Sequence, residues 1–191
     1  MARSVHSMHI EDDIIMTDYV ATRWYRAPEI LLASNSYSTK VDMWSFGCII
    51  GEILKGKALF PGNSTLNQLD HILKYFPPCC KEDIQSIKSN FSVSIMSKQM
   101  PKMANLGQIK SFVGENASDE SISLLVSLFK FNPSKRFSAL QCLEHPYFSV
   151  YRNKKMEIFL PYDVVPPIHD GMKLTIETYR KILFDGSQIA H

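Results

Sequence analysis

The sequence predicts a mainly α-helical chain, and three observations carry that reading. Apolar residues recur at helical spacing, with Leu66, Leu69, Ile72 and Leu73 in one segment and Ile122, Leu125, Val126 and Phe129 in another. Residues 40–54 carry apolar side chains around most of a helical circumference, the pattern of a buried helix rather than a surface one. Start and stop residues stand at matching places: Ser64, Ser118 and Ser138 as N-caps, and Gly56 as a C-cap.

At 191 residues the chain fits one domain with room for a real core. Hydrophobic content of 45% and charged content of 21% are ordinary for a globular protein. A net charge of +2 gives no reason to expect nucleic acid or a membrane surface as a partner. The cysteines, Cys48, Cys79, Cys80 and Cys142, have neither zinc-knuckle nor Cys-x-x-Cys spacing, so no metal site is expected. Reduced thiols point to cytoplasm or nucleus. The first ten residues lack the apolar core of a signal peptide. The longest apolar run, near residues 46–50, is broken by Glu52 and is too short to span a bilayer.

In chain order, residues 1–16 show little periodicity and contain the acidic triple Glu11-Asp12-Asp13, which reads as a loop. Next comes Thr17-Asp18-Tyr19-Val20-Ala21-Thr22-Arg23-Trp24-Tyr25-Arg26-Ala27-Pro28-Glu29. Two esterifiable hydroxyls flank one acid, and two arginines follow. Each phosphate adds about −1.5 to −2 charge and three acceptor oxygens, which a guanidinium grips bidentately. The run therefore reads as a charge switch; the plainer alternatives are a polar loop and two arginines that only aid solubility. A short helical turn follows at Ile30-Leu31-Leu32, then a polar turn over residues 35–39 and the buried helix. Leu59-Phe60-Pro61-Gly62 is a turn, and the Ser64-capped helix runs to about Tyr75, where Pro77-Pro78 ends it. Residues 81–108 are irregular, with short helical pieces around 83–88. The helices capped by Ser118 and Ser138 follow, and the tail carries an amphipathic helix over residues 175–184 with Gly186 as its stop.

Thr17-Asp18-Tyr19 and Ala27-Pro28-Glu29, in register, resemble the Thr-x-Tyr and Ala-Pro-Glu motifs of a mitogen-activated protein (MAP) kinase activation segment. Asp42-Met43-Trp44-Ser45-Phe46-Gly47 resembles the family's Asp-x-Trp-Ser-x-Gly helix, and Phe131-Asn132-Pro133-Ser134-Lys135-Arg136 its late arginine loop. The tail is similar to the atypical extracellular-signal-regulated seven/eight branch. The sequence has no Gly-x-Gly-x-x-Gly, Val-Ala-x-Lys, His-Arg-Asp or Asp-Phe-Gly. The resemblance thus implies the C-terminal lobe of the protein-kinase fold, without N-terminal β lobe or catalytic loop. Residues 1–148 would form the partial kinase domain, with an activation segment over 1–29 and a helical lobe over 30–148. Residues 149–191 would be an extension packing on that lobe.

The resemblance also implies roles. Thr17 and Tyr19 are the phosphorylation sites, and Arg3, Arg23 and Arg26 receive the phosphates. Thr22 belongs to the substrate-positioning loop, whose catalytic aspartate and lysine partners are absent. Glu29 and Arg136 form a structural ion pair. Asp42, lacking a catalytic loop to bond, is expected unsatisfied or solvated, and the outer face of its helix is expected to be exposed. Leu31, Leu32, Leu66 and Leu69 line a hydrophobic docking pocket or, alternatively, pack in the core. Asn153 and Met156 stand where an acidic docking patch usually has aspartates, so a basic docking peptide would be weakly attracted or repelled. The implied function is the switched, substrate-binding part of a proline-directed serine/threonine kinase. That enzyme would use ATP and Mg, neither expected to bind this chain alone. Its partners would be proteins with Ser/Thr-Pro sites and an upstream kinase, unless it phosphorylates itself. The alternative is an inactive docking or dominant-negative module.

Overall fold

The computed structural model describes residues 23–34, 38–78, 80–89, 95–96, 103–158, 160–162 and 172–188. Among them the regular elements are helices, with no strand. The chain divides after Glu157 into a main unit and a second unit that includes the tail.

The main unit is built around α2 (Lys40–Lys55), preceded by the single turn α1 (Pro28–Leu31). Trp44, Gly47, Cys48 and Gly51 fall at spacings of three and four and form the buried stripe, with Ile50 beside it. Gly47 permits close packing: a Cβ there would lie 3.1 Å from both Leu128 Cβ and Phe129 Cε1. The helix stops at Gly56, whose left-handed φ of +75° lets its N–H reach the Glu52 carbonyl at 2.8 Å.

Helix α3 (Thr65–Tyr75) starts where Ser64 Oγ accepts from Asn67 N–H at 3.2 Å, and buries Leu69 and Ile72. A short α4 (Lys81–Gln85) follows. Then comes α5 (Leu106–Val113), which starts at the end of the stretch 81–108 whose pattern reads as irregular and which the sequence does not indicate. Asn105 caps α5 by accepting from Gln108 N–H at 3.0 Å, and Ile109 and Val113, four apart, are fully buried. Helix α6 (Asp119–Leu128) is capped by Ser118 and buries Leu124 and Leu128 as well as Ile122 and Leu125, a wider apolar face than its sequence stripe. Ser138 and Gln141 close a reciprocal capping box on α7 (Ala139–Leu143).

The core between α2, α3, α5 and α6 is aromatic. Phe129 meets Trp44 edge-on at 4.8 Å and packs on Phe76 at 4.6 Å, with Phe60 at 5.5 Å. Tyr75 and Phe112 stack at 3.7 Å beneath the Lys55 ammonium.

In the second unit, α8 (Ile176–Gln188) begins where Thr175 Oγ1 accepts from Thr178 N–H. It runs through Gly186 rather than stopping there. A helical glycine costs about 1 kcal/mol relative to alanine, which lowers helix stability without itself ending the helix.

The outer face of α2 carries Ile49 at 50% exposure and Ile53 at 75%. Apolar surface of this kind favours self-association. The isolated chain is expected to form oligomers by sedimentation velocity. The double substitution Ile49→Ser and Ile53→Ser is expected to shift it toward monomer without lowering the melting temperature.

Candidate functional site

The site is the end of the threonine–tyrosine run, residues 23–34, seated on α2, α3 and the loop after α6. Pro28 opens α1 at its first turn, where a missing N–H is harmless. That turn aims Glu29 inward, to 1% exposure. Arg136 meets it from the far end of the unit: Nη1 and Nη2 donate to the two carboxylate oxygens at 2.7 and 3.0 Å. Two more donors of Arg136 are used, Nη1 on the Lys40 carbonyl at 2.7 Å and Nε on the Lys130 carbonyl at 3.2 Å. Its guanidinium lies 5.1 Å from the Trp44 ring, and Lys40 Nζ donates to the Arg136 carbonyl at 2.7 Å. The fork is thus desolvated and hydrogen-bonded on three sides, as a buried cation must be.

Four further hydrogen bonds hold the residues before Glu29. Tyr25 Oη donates to Glu52 Oε2 at 2.7 Å, and Ser45 Oγ donates to the Tyr25 carbonyl at 2.9 Å. Trp24 Nε1 donates to the Gly62 carbonyl at 3.1 Å. Gln68, fully buried, donates to the Trp24 carbonyl at 3.2 Å and accepts from Gly62 N–H at 2.9 Å. Only glycine serves at position 62, because a Cβ there would lie 2.6 Å from Gln68 Cα. The hydrogen bond to the Glu52 carboxylate, with burial and that charge added, pushes the Tyr25 phenol above its usual value. Burial likewise drives the Cys48 thiol far up, so it stays protonated.

Arg23 reaches the Asn63 carbonyl only at 3.5 Å, and its Nε is buried without a hydrogen-bond partner among the described residues. Arg26 is half-buried beside it in sequence. Asp42 is exposed on the first turn of α2, so water solvates its carboxylate. Of the four leucines, Leu31, Leu32 and Leu69 are buried core residues, and Leu66 alone is exposed, at 58%. Three of them thus sit as the core-packing alternative has them, while Leu66 faces solvent. Arg3, Thr17, Tyr19 and Thr22 lie outside the described residues.

A second polar cluster steadies the arginine loop. Lys135 Nζ lies 2.6 Å from the buried Asp83 carboxylate, and Asn132 Nδ2 donates to the same oxygen at 3.3 Å. The Asp83 hydrogen bond raises the Lys135 ammonium above its usual value. Sequence reasoning missed this pair, as it missed Tyr25, Glu52 and Gln68. The one signal was Glu52, an acid that interrupts the apolar run of α2 after residues 46–50.

Comparison with known proteins agrees with this geometry. Residues 1–148 match the family model described as the protein kinase domain. The chain is 45% identical to mitogen-activated protein kinase 15 of Xenopus laevis, covering 97% of this chain and 31% of that protein. It is 40% identical to extracellular signal-regulated kinase 7 of Drosophila melanogaster, over 97% of this chain and 20% of the relative. A solved MAP kinase from Leishmania major superposes with a TM-score of 0.70 at 25% identity, over 89% of this chain and 49% of that one. The chain therefore spans about a fifth to a third of these two curated relatives.

Removing one partner of a fully buried, hydrogen-bonded pair costs about 3–5 kcal/mol. Glu29→Ala and Arg136→Ala are each expected to destabilise by that amount in urea denaturation, and the double variant by clearly less than the sum. Tyr25 gives a pH signature. Its folded-state pKa lies above its unfolded value of 10.0, so its contribution is full below pH 10 and is lost as pH rises through the folded pKa. Wild type is expected to lose more stability than Tyr25→Phe across that alkaline window.

Proposed function

Because the chain belongs to the protein kinase family, on its MAP kinase branch, we propose that it supplies the phosphorylation switch and peptide-substrate surface of a proline-directed serine/threonine kinase. The observation that carries this reading is the two-part mechanical character of the run. Its last residues are bolted to the helical unit by the buried Glu29–Arg136 pair and the Tyr25 and Trp24 hydrogen bonds. Just ahead of those bolts stands Arg23, with a buried Nε–H unused among the described residues. A phosphate on Tyr19 or Thr17 would bring acceptor oxygens to a cation that has an open donor. Such pairing orders the preceding residues against an anchor that is already fixed, the usual logic of a phosphorylation-ordered loop. Ordered in this way, the segment containing Thr22 presents a surface for a substrate peptide with Ser/Thr followed by Pro. The phosphates come from an upstream kinase or from the kinase itself, in cytoplasm or nucleus.

Mg-ATP is the cofactor pair of the family. The described residues hold no group of three His, Cys, Asp or Glu suited to a metal ion. The sequence contains no glycine-rich phosphate loop and no Val-Ala-x-Lys strand. No chemical step is assigned to the residues of this chain. What this chain contributes is placement and switching.

The test uses the full-length kinase that contains this chain. One charge-assisted hydrogen bond is worth about 1.5–3 kcal/mol, which corresponds to at least tenfold in rate when it is made only in the active arrangement. Phosphorylation of Thr17 and Tyr19, verified by mass spectrometry, is expected to raise kcat/KM by at least that factor. Arg23→Ala is expected to remove most of the gain while leaving basal activity in place. Equal activity of phosphorylated and unphosphorylated enzyme would overturn the switch.

A further inference from the structure

Near the end of the main unit, residues 150–157 place apolar and cationic side chains together in water. Val150 is 85% exposed, Tyr151 84% and Met156 75%. Lys154 and Lys155 are exposed on a 3-10 turn, held in shape by Asn153 Oδ1 accepting from Lys155 N–H at 3.2 Å. The local acids bond chiefly to Arg152, and Lys154 feels Glu157 only as a lesser charge at longer range. Glu157 grips Arg152 bidentately, at 2.6 and 3.0 Å, and Glu144 approaches the same arginine at 3.9 Å. Arg152 and Glu157 are both mostly buried, at 11% and 18% side-chain exposure. Their fork-to-carboxylate bond closes the loop like a staple. Neither Lys154 nor Lys155 forms an ion pair among the described residues.

The result is a stapled loop that presents two exposed positive charges, without an ion pair among the described residues, flanked by apolar side chains. We propose that this loop is a docking surface for an acidic peptide segment of a partner protein. Its carboxylates meet Lys154 and Lys155, and its apolar side chains lie on Val150, Tyr151 and Met156. The staple supplies preorganisation, so little loop entropy is lost on binding. Charge complementarity selects the sign of the partner, because like charges brought together are disfavoured. An anionic membrane fits less well. Each basic residue at such a surface contributes about 1 kcal/mol, and lipid-binding clusters hold roughly four to eight of them. Nucleic acid similarly calls for a basic stripe, against two lysines and a chain net charge of +2. The proposal stands apart from the phosphorylation switch: it concerns equilibrium binding by this chain and needs neither ATP nor turnover.

The test is fluorescence anisotropy with the 191-residue chain and two labelled synthetic peptides. One alternates leucine with glutamate and aspartate; the other is its counterpart with lysine in place of each acid. The acidic peptide is expected to bind at least tenfold tighter, and to weaken severalfold as ionic strength rises from about 0.05 to 0.5 M. Lys154→Glu with Lys155→Glu is expected to reverse the preference. Met156→Ser is expected to weaken the acidic peptide while keeping the preference for it. All three positions are exposed, and an unchanged circular dichroism melt verifies that the variants fold. Equal binding of the two peptides, or an acid preference surviving the lysine reversal, overturns the proposal. So does tighter association with phosphatidylserine vesicles or duplex DNA than with the acidic peptide, which would assign the lysines to a different class of partner.

Discussion

A carboxylate and a guanidinium that have both left water stay charged only while they hold each other, and Glu29 and Arg136 are in that position, with side-chain exposures of 2% and 0%. Desolvating each ion costs several kcal/mol, so the pair is not by itself a large source of stability. What it supplies is uniqueness of arrangement. A packing of the unit that separated the two groups would strand a bare charge in the core. The residues that satisfy the rest of the fork, the Lys40 and Lys130 carbonyls, belong to the start of α2 and the exit from α6. One side chain therefore fixes the relative placement of α1, α2 and the loop after α6. The aromatic core of Trp44, Phe60, Phe76 and Phe129 fills the space that this placement leaves.

Anchoring has a direction along the chain. From Arg23 to Glu29 the fastenings become more buried: a long contact to Asn63, then hydrogen bonds at Trp24 and Tyr25, then the ion pair in the core. Opening free energy in a folded chain follows burial of apolar contacts and hydrogen bonds. Position along this gradient decides what a charge can do. At Glu29 a change of charge would disrupt the fold; near Arg23 it can adjust local order while the fold stays intact. The shallow end of this gradient is thus the end that tolerates added charge.

Much of the helical frame was legible because its causes are local. Ser64, Ser118, Ser138 and Gly56 act on residues within one turn, and each caps the helix its sequence position indicates. Helix α5 escaped because only Asn105 and the Ile109–Val113 spacing mark it, at the end of a stretch of irregular composition. For the four leucines the sequence left two readings open for the opposite reason. Hydrophobicity alone cannot separate a pocket wall from a core, and burial of Leu31, Leu32 and Leu69 is set by α3 packing on α1. Glu29 and Arg136 lie 107 residues apart, so no spacing rule could join them; family resemblance did. Tyr25–Glu52 and the Gln68 network are likewise contacts across folded distance.

The chain also uses one kind of interaction in two dielectric regimes. Between Glu29 and Arg136, water is excluded and the attraction is barely screened, so the pair is insensitive to salt and intolerant of substitution. At Lys154 and Lys155 the same Coulomb force acts through solvent, where a pair is worth about 0–1 kcal/mol and salt weakens it further. Such charges cannot hold a fold together, but they can choose among partners, since weak and reversible attraction is sufficient for selection. The Arg152–Glu157 staple, mostly buried, stands between the two regimes: it is sheltered enough to fix the loop and shallow enough to leave its neighbours in water. Burial depth, more than residue type, thus divides the cations of this chain into those that specify its structure and those available to bind.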